Sequence, residues 1–180
     1  MRRGRMKHLI LPVLWLALAG ASSPVVAEPN MRLYGALVAD PCIIPPGDED
    51  IQLEFGNIVD KYLYQNMRTP GHSFEIRLSD CDLSLVNTVS VTFEGAESTA
   101  LPGLLALDGG SEATGIAIGL ETPESQPLPL NQASDKYTLQ AGNNVIALRA
   151  YVRGEPEAIT NKAIGHGAFN AVATFSLSYE

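Results

Sequence analysis

Cations, cysteines and histidines are scarce in this chain, and each scarcity closes off a class of function. Lys and Arg number 12 against 20 Asp and Glu. A surface so acidic argues against nucleic acid and against anionic lipid as partners. The 3 histidines and 2 cysteines do not fall at metal-ligand spacing, which leaves no case for zinc. After the N-terminal stretch no segment is long and apolar enough to span a bilayer. Gly-x-Ser-x-Gly, His-Glu-x-x-His and a phosphate loop are all missing, so neither an enzyme nor a cofactor is expected. Gly165-His166-Gly167 is followed by no helical pattern that would offer an anion site, and reads as a turn. The single Trp, Trp15, lies in the N-terminal stretch, so the buried Trp of an antibody-type domain is missing as well.

That N-terminal stretch has the layout of an export signal. Arg2, Arg3, Arg5 and Lys7 form a basic start, the next dozen residues are apolar, and Val25-Val26-Ala27 suits a signal peptidase. Cleavage is expected before Glu28, so that residues 1–27 are a signal peptide and 153 of the 180 residues remain. That length suits one domain with a sizeable core. The four lost cations leave 8 Lys and Arg against 20 acidic residues, a net charge of −12. Both cysteines, Cys42 and Cys81, lie in the exported part, where a disulfide is the natural expectation.

The mature chain reads as short strands separated by turn signals. Met31, Leu33, Gly35, Leu37 and Ala39 alternate with Arg32, Tyr34, Ala36 and Val38, a nine-residue extended stretch of about 30 Å. Its central glycine is unusual for a strand and marks a place of close backbone approach. Asp40-Pro41 then separates this extension from Cys42. Ile51, Leu53 and Phe55 resume alternation after an acidic turn, Asp48-Glu49-Asp50, which lacks the ligand spacing of a calcium loop. Residues 56–71 read as a long connection with one helical turn. Further strands are expected over 74–81, 88–94, 115–121, 137–139 and 145–152, with a loop over 154–165. Seven or more short strands and hardly any helical period predict an all-β sandwich.

The last fourteen residues are the most informative. Ala171, Ala173, Phe175, Leu177 and Tyr179 fall on one face of an extended chain; Asn170, Thr174, Ser176 and Ser178 fall on the other, with Val172 the exception. A strand with one apolar face needs cover and a neighbour, and nothing downstream supplies them.

These residues together resemble the pilin subunits of bacterial chaperone–usher fimbriae. The resemblance rests on the leader, the alternating extension with its central glycine, Asp40-Pro41-Cys42, and Cys81 after Phe74-Glu75-Ile76-Arg77-Leu78. It rests further on Arg149-Ala150-Tyr151, and on an ending with Gly167 fourteenth from the terminus and Tyr179 penultimate. Residues 74–81, Val89-Ser90-Val91-Thr92-Phe93-Glu94-Gly95 and Ala100-Leu101-Pro102-Gly103 look most like the adaptor-type minor pilins of P-pilus-like systems.

The resemblance implies an immunoglobulin-like sandwich that lacks its last strand, over residues 41–180, preceded by a donor-strand extension over 28–40. It implies that Met31, Leu33, Leu37 and Ala39 insert into a neighbour's groove, with Gly35 where that groove is tight. Gly167, Ala173, Phe175, Leu177 and Tyr179 would edge this subunit's own groove and meet a periplasmic pilus chaperone, with Glu180 held by basic chaperone residues. The outer-membrane usher and neighbouring pilins are the other partners implied, and a fimbrium on the bacterial surface is the destination. The function expected is a structural minor subunit, a tip adaptor, that polymerises by donor-strand complementation and supports adhesion. An assembly terminator, or a self-complemented secreted β-sandwich that binds a ligand, are the alternatives. A two-domain adhesin and the two-domain chaperone are not expected in 153 residues.

Overall fold

The computed structural model describes residue 34, residues 40–84 and residues 86–180. The expected signal peptide lies outside the described residues, as do Met31, Leu33, Gly35, Leu37 and Ala39 of the extension. The fold below belongs to the compact unit Val38–Glu180.

Two three-stranded antiparallel sheets face each other. One is built from β1 (His72–Cys81), β5 (Gly142–Gly154) and β3 (Ile116–Glu121), in the order β1-β5-β3. The other is built from β2 (Thr88–Glu94), β4 (Tyr137–Thr138) and β6 (Thr174–Tyr179), in the order β4-β2-β6. Alternation explains which face goes inward. Ile76 and Leu78 of β1, Val89 and Val91 of β2, and Ile146, Leu148, Ala150 and Val152 of β5 are all buried. β3 is buried at every position, which is why its sequence barely alternates.

The strands expected over 74–81, 88–94, 115–121 and 137–139 stand within a residue or two of their expected ends. Two segments differ. The expected loop over 154–165 contains a helix, α2 (Pro156–Asn161). Pro156 sits in its first turn, where a missing N–H costs nothing, and Lys162 closes it in the left-handed conformation. Six residues are too few to display a 3.6-residue period, so the sequence hid it. The connection over 56–71 holds seven residues of helix, α1 (Asp60–Asn66), rather than one turn. Leu63 anchors it in the core, and the Tyr64 hydroxyl accepts a hydrogen bond from the Ile164 amide at 3.2 Å. Tyr62 and Met67 remain exposed.

Cys42 and Cys81 form a disulfide. Beside it Ile43 and Ser79 exchange two backbone hydrogen bonds, at 2.8 and 2.7 Å. The stretch that leaves Cys42 is thereby fastened to the end of β1.

A buried ion pair joins the end of α1 to the β1-β5-β3 sheet. Glu121 is 1% exposed and accepts two parallel bonds from the Arg68 guanidinium, at 2.8 and 2.9 Å. The same guanidinium lies 3.7 Å from the centre of the Tyr151 ring. The bonds to Glu121 hold Arg68 in its charged form above its ordinary range. Tyr151 in turn leaves no room beside it: a Cβ on Gly119 would stand 2.1 Å from the ring's Cζ. Gly119→Ala is therefore expected to cost about 1–3 kcal/mol through overpacking, read as a lower urea midpoint at unchanged slope.

Candidate functional site

A wall with no backbone pairing among the described residues runs from the disulfide to α1. Residues 51–55 alternate as the sequence predicts: Ile51, Leu53 and Phe55 are half-buried, Gln52 and Glu54 exposed. Yet they form no strand. Among the described residues, the backbone of 49–57 makes no hydrogen bond to any other backbone group. Extended chain with one apolar face and both edges unpaired is unusual in a folded core, because backbone groups are obligatory hydrogen-bonding groups.

A second unpaired edge faces it. β6 pairs with β2 from Val89–Tyr179 to Glu94–Thr174 and, among the described residues, has no strand on its other side. The strand expected over the last fourteen residues is thus only half a ladder. Residues 168–173 keep the alternating exposure but not the pairing with β2, because β2 has ended at Glu94. The loop at 108–113 takes over there, with the Asp108 amide donating to Asn170 and the Glu112 amide to Ala168, both at 2.8 Å. Gly167 has φ +145°, and a Cβ on it would stand 2.3 Å from the Cβ of Glu112. Glycine is needed there to let the chain enter the wall.

Between these two walls lies a groove of about 970 Å³. Its floor comes from both sheets and the loop before β3: Phe74, Phe93, Leu105, Ile118, Leu120 and Ala150. Aromatic rings step across it, with Phe55 6.1 Å from Phe169, Phe74 6.2 Å from Phe93, and Phe93 6.5 Å from Phe175. Residues 51–55, which alternate in burial, flank about 17 Å of the slot. The arrangement can do one thing chemically: take up an extended segment that supplies apolar side chains inward and backbone donors and acceptors to both sides.

The expected groove-edge residues separate into two groups. Gly167, Ala173 and Phe175 line the groove. Leu177 and Tyr179 continue the same half-buried face of β6, and burial together with the charge of Asp40 pushes the Tyr179 hydroxyl pKa up. Glu180 is exposed. Its carbonyl accepts from the Asn87 and Thr88 amides, both at 3.1 Å, and its side chain pairs with Lys136. The opposite wall and the floor were not among the expected site residues. Alternation at 51–55 was a signal for the wall; nothing in the sequence marks the floor.

A sandwich of two antiparallel sheets with one edge strand position vacant is an incomplete immunoglobulin-like domain. The fimbrial protein family model matches residues 31–180. The chain belongs to that family, as a pilin of the chaperone–usher kind. It is 35% identical over 151 residues to the fimbria A protein of Serratia marcescens, covering 84% of each chain. To the fimbrial adapter PapK of Escherichia coli it is 31% identical over 170 residues, 91% of this chain and 95% of that one. Among solved structures, the P pilus rod subunit PapA superposes with a TM-score of 0.67 at 26% identity, over 78% of this chain and all of PapA. These relatives are structural subunits of fimbriae rather than enzymes.

Proposed function

We propose that this chain is a structural minor subunit of a chaperone–usher fimbria, an adaptor near the tip, that polymerises by donor-strand complementation and supports adhesion. The observation that carries this reading is the groove whose two flanking backbone edges are unpaired among the described residues. An apolar trough with two open edges left in water is an aggregation site, which supports a strand from another molecule as its occupant. In the periplasm that occupant is a strand lent by the chaperone, which meets Ala173, Phe175, Leu177 and Tyr179. The usher then exchanges it for the extension of the next subunit, and the fibre emerges on the cell surface.

Residues 28–40 of this chain do the same for a neighbour. Burying Met31, Leu33 and Leu37 contributes roughly 5–9 kcal/mol before ordering costs, with Ala39 and backbone pairing adding to it. Gly35 fits where the neighbour's groove leaves no room for a side chain. The 31% identity to an adapter supports the adaptor position.

The test is co-expression with candidate chaperones and tip subunits, read by co-purification. Gly35→Arg is expected to leave capture by the chaperone intact and to abolish capping of the neighbour. Normal incorporation of that variant would remove the role given to Gly35. Deletion of 28–40 should likewise leave a chaperone-bound domain; unfolding on deletion would instead mean that the extension fills this chain's own groove.

A further inference from the structure

The two rims of the groove differ in charge. Along the β6 side the exposed positions are Asn170, Val172, Thr174, Ser176 and Ser178, all uncharged. On the opposite wall Glu49, Asp50 and Glu54 are exposed and line the groove. Glu49 accepts from the Gly47 amide at 2.7 Å and Asp50 from the Gln52 side chain at 3.5 Å. Asp48, beside them, faces Arg77 at 3.8 Å. Among the described residues no cation pairs with Glu49, Asp50 or Glu54.

We infer that this acidic rim makes the groove selective for a donor strand with a cation on its outward face, supplied by another fimbrial subunit. The inference rests on the groove being a strand acceptor. A strand laid against residues 49–57 brings its outward side chains to cross-strand distance from Asp50 and Glu54, about 5 Å. Opposite charges there favour the pairing, and like charges oppose it. Charges at the rim of an interface act chiefly on the rate of association and its dependence on salt. The apolar pockets thus decide whether a strand of the right alternation fits, and the rim sorts strands that fit equally well. This chain's own extension has the required chemistry: Met31, Leu33, Gly35, Leu37 and Ala39 alternate on one side, and Arg32, on the other, is the only cation in residues 28–40.

The probe is a synthetic peptide of residues 28–40, compared with its Arg32→Glu form. Each is added to the full mature chain as it refolds from denaturant, and peptide capture is followed over time. At about 20 mM NaCl the natural peptide is expected to associate about tenfold faster, and at about 500 mM the gap should close to less than about twofold. The paired change Asp50→Lys with Glu54→Lys should reverse the preference, and the milder Asp50→Asn with Glu54→Gln should erase it. Glu124→Lys with Glu157→Lys, outside the groove lining, should leave the preference standing, which separates the rim from the chain's net negative charge. Equal rates for both peptides at low salt, or a preference indifferent to the rim substitutions, overturns the inference while leaving the groove an acceptor. Capture of neither peptide at any salt overturns the acceptor reading and this inference with it.

Discussion

Replacing Arg68 with alanine is expected to destabilise the strand-complemented chain by about 3 kcal/mol. The size follows from what is left behind. Removing one partner of a buried ion pair costs about 3–5 kcal/mol, because the other charge stays desolvated. Glu121 keeps its burial, at 1% exposed, while Arg68 itself is about a third exposed, so water reaches part of the gap and the lower end applies. Arg68→Lys recovers only part of the loss, since an ammonium cannot make two parallel bonds to Glu121 and lie flat on Tyr151 as well. Glu121→Leu in the Arg68→Ala background removes the orphaned charge and is expected to recover most of the loss. Urea unfolding of the strand-complemented chain reads all of this. A cost below about 1 kcal/mol for Arg68→Ala would mean that water solvates Glu121 in the fold.

Loss of the disulfide is expected to cost about 4 kcal/mol, the chain-entropy value for a sequence separation of 39. It should also cost the groove. Among the described residues the wall over 49–57 makes no backbone pairs, so it is held in place by its two ends. One end is the Cys42–Cys81 bond with the Ile43–Ser79 bridge beside it; the other is α1, anchored by Leu63. Cys42→Ser with Cys81→Ser cuts the first covalently and leaves two backbone hydrogen bonds, at 2.8 and 2.7 Å, to hold it. Capture of a donor peptide should therefore fall by more than the loss of stability alone would produce. Measuring peptide capture at a temperature where the variant is still folded separates the two effects. Unchanged capture there would show that the wall needs no covalent anchor.

Legibility in the sequence followed the range over which each feature is built. β1, β2 and β6 were visible because a strand with one buried face alternates within half a dozen residues; β3, buried at every position, showed only through its larger residues Ile116, Ile118 and Leu120. The alternation at Ile51, Leu53 and Phe55 was equally visible, and so was the unpaired need of Ala171 to Tyr179. What was not visible is that these two segments face each other across one groove. That is a pairing relation between residues more than a hundred positions apart, and period-2 patterns say nothing about neighbours. Short elements fared worst. α2 escaped notice because six residues make under two turns, and α1 was expected as one turn only, because its apolar anchor is the single residue Leu63.

Some properties of this protein belong to its sequence alone: an N-terminal stretch with the layout of an export signal, the excess of acidic residues, two cysteines available to pair, the β class, and a last strand that asks for a neighbour. Local chemistry determines each of them, because charge, turn residues and alternation act over a few bonds. The tertiary structure decided the rest. It placed the wall over 49–57 opposite β6, floored the space with Phe74, Phe93 and Leu105, and set Glu49, Asp50 and Glu54 along the rim of that wall. It also buried Glu121 against Arg68. These depend on which segments come to lie side by side, and that choice is made by the packing of two sheets around one core rather than by any stretch read on its own.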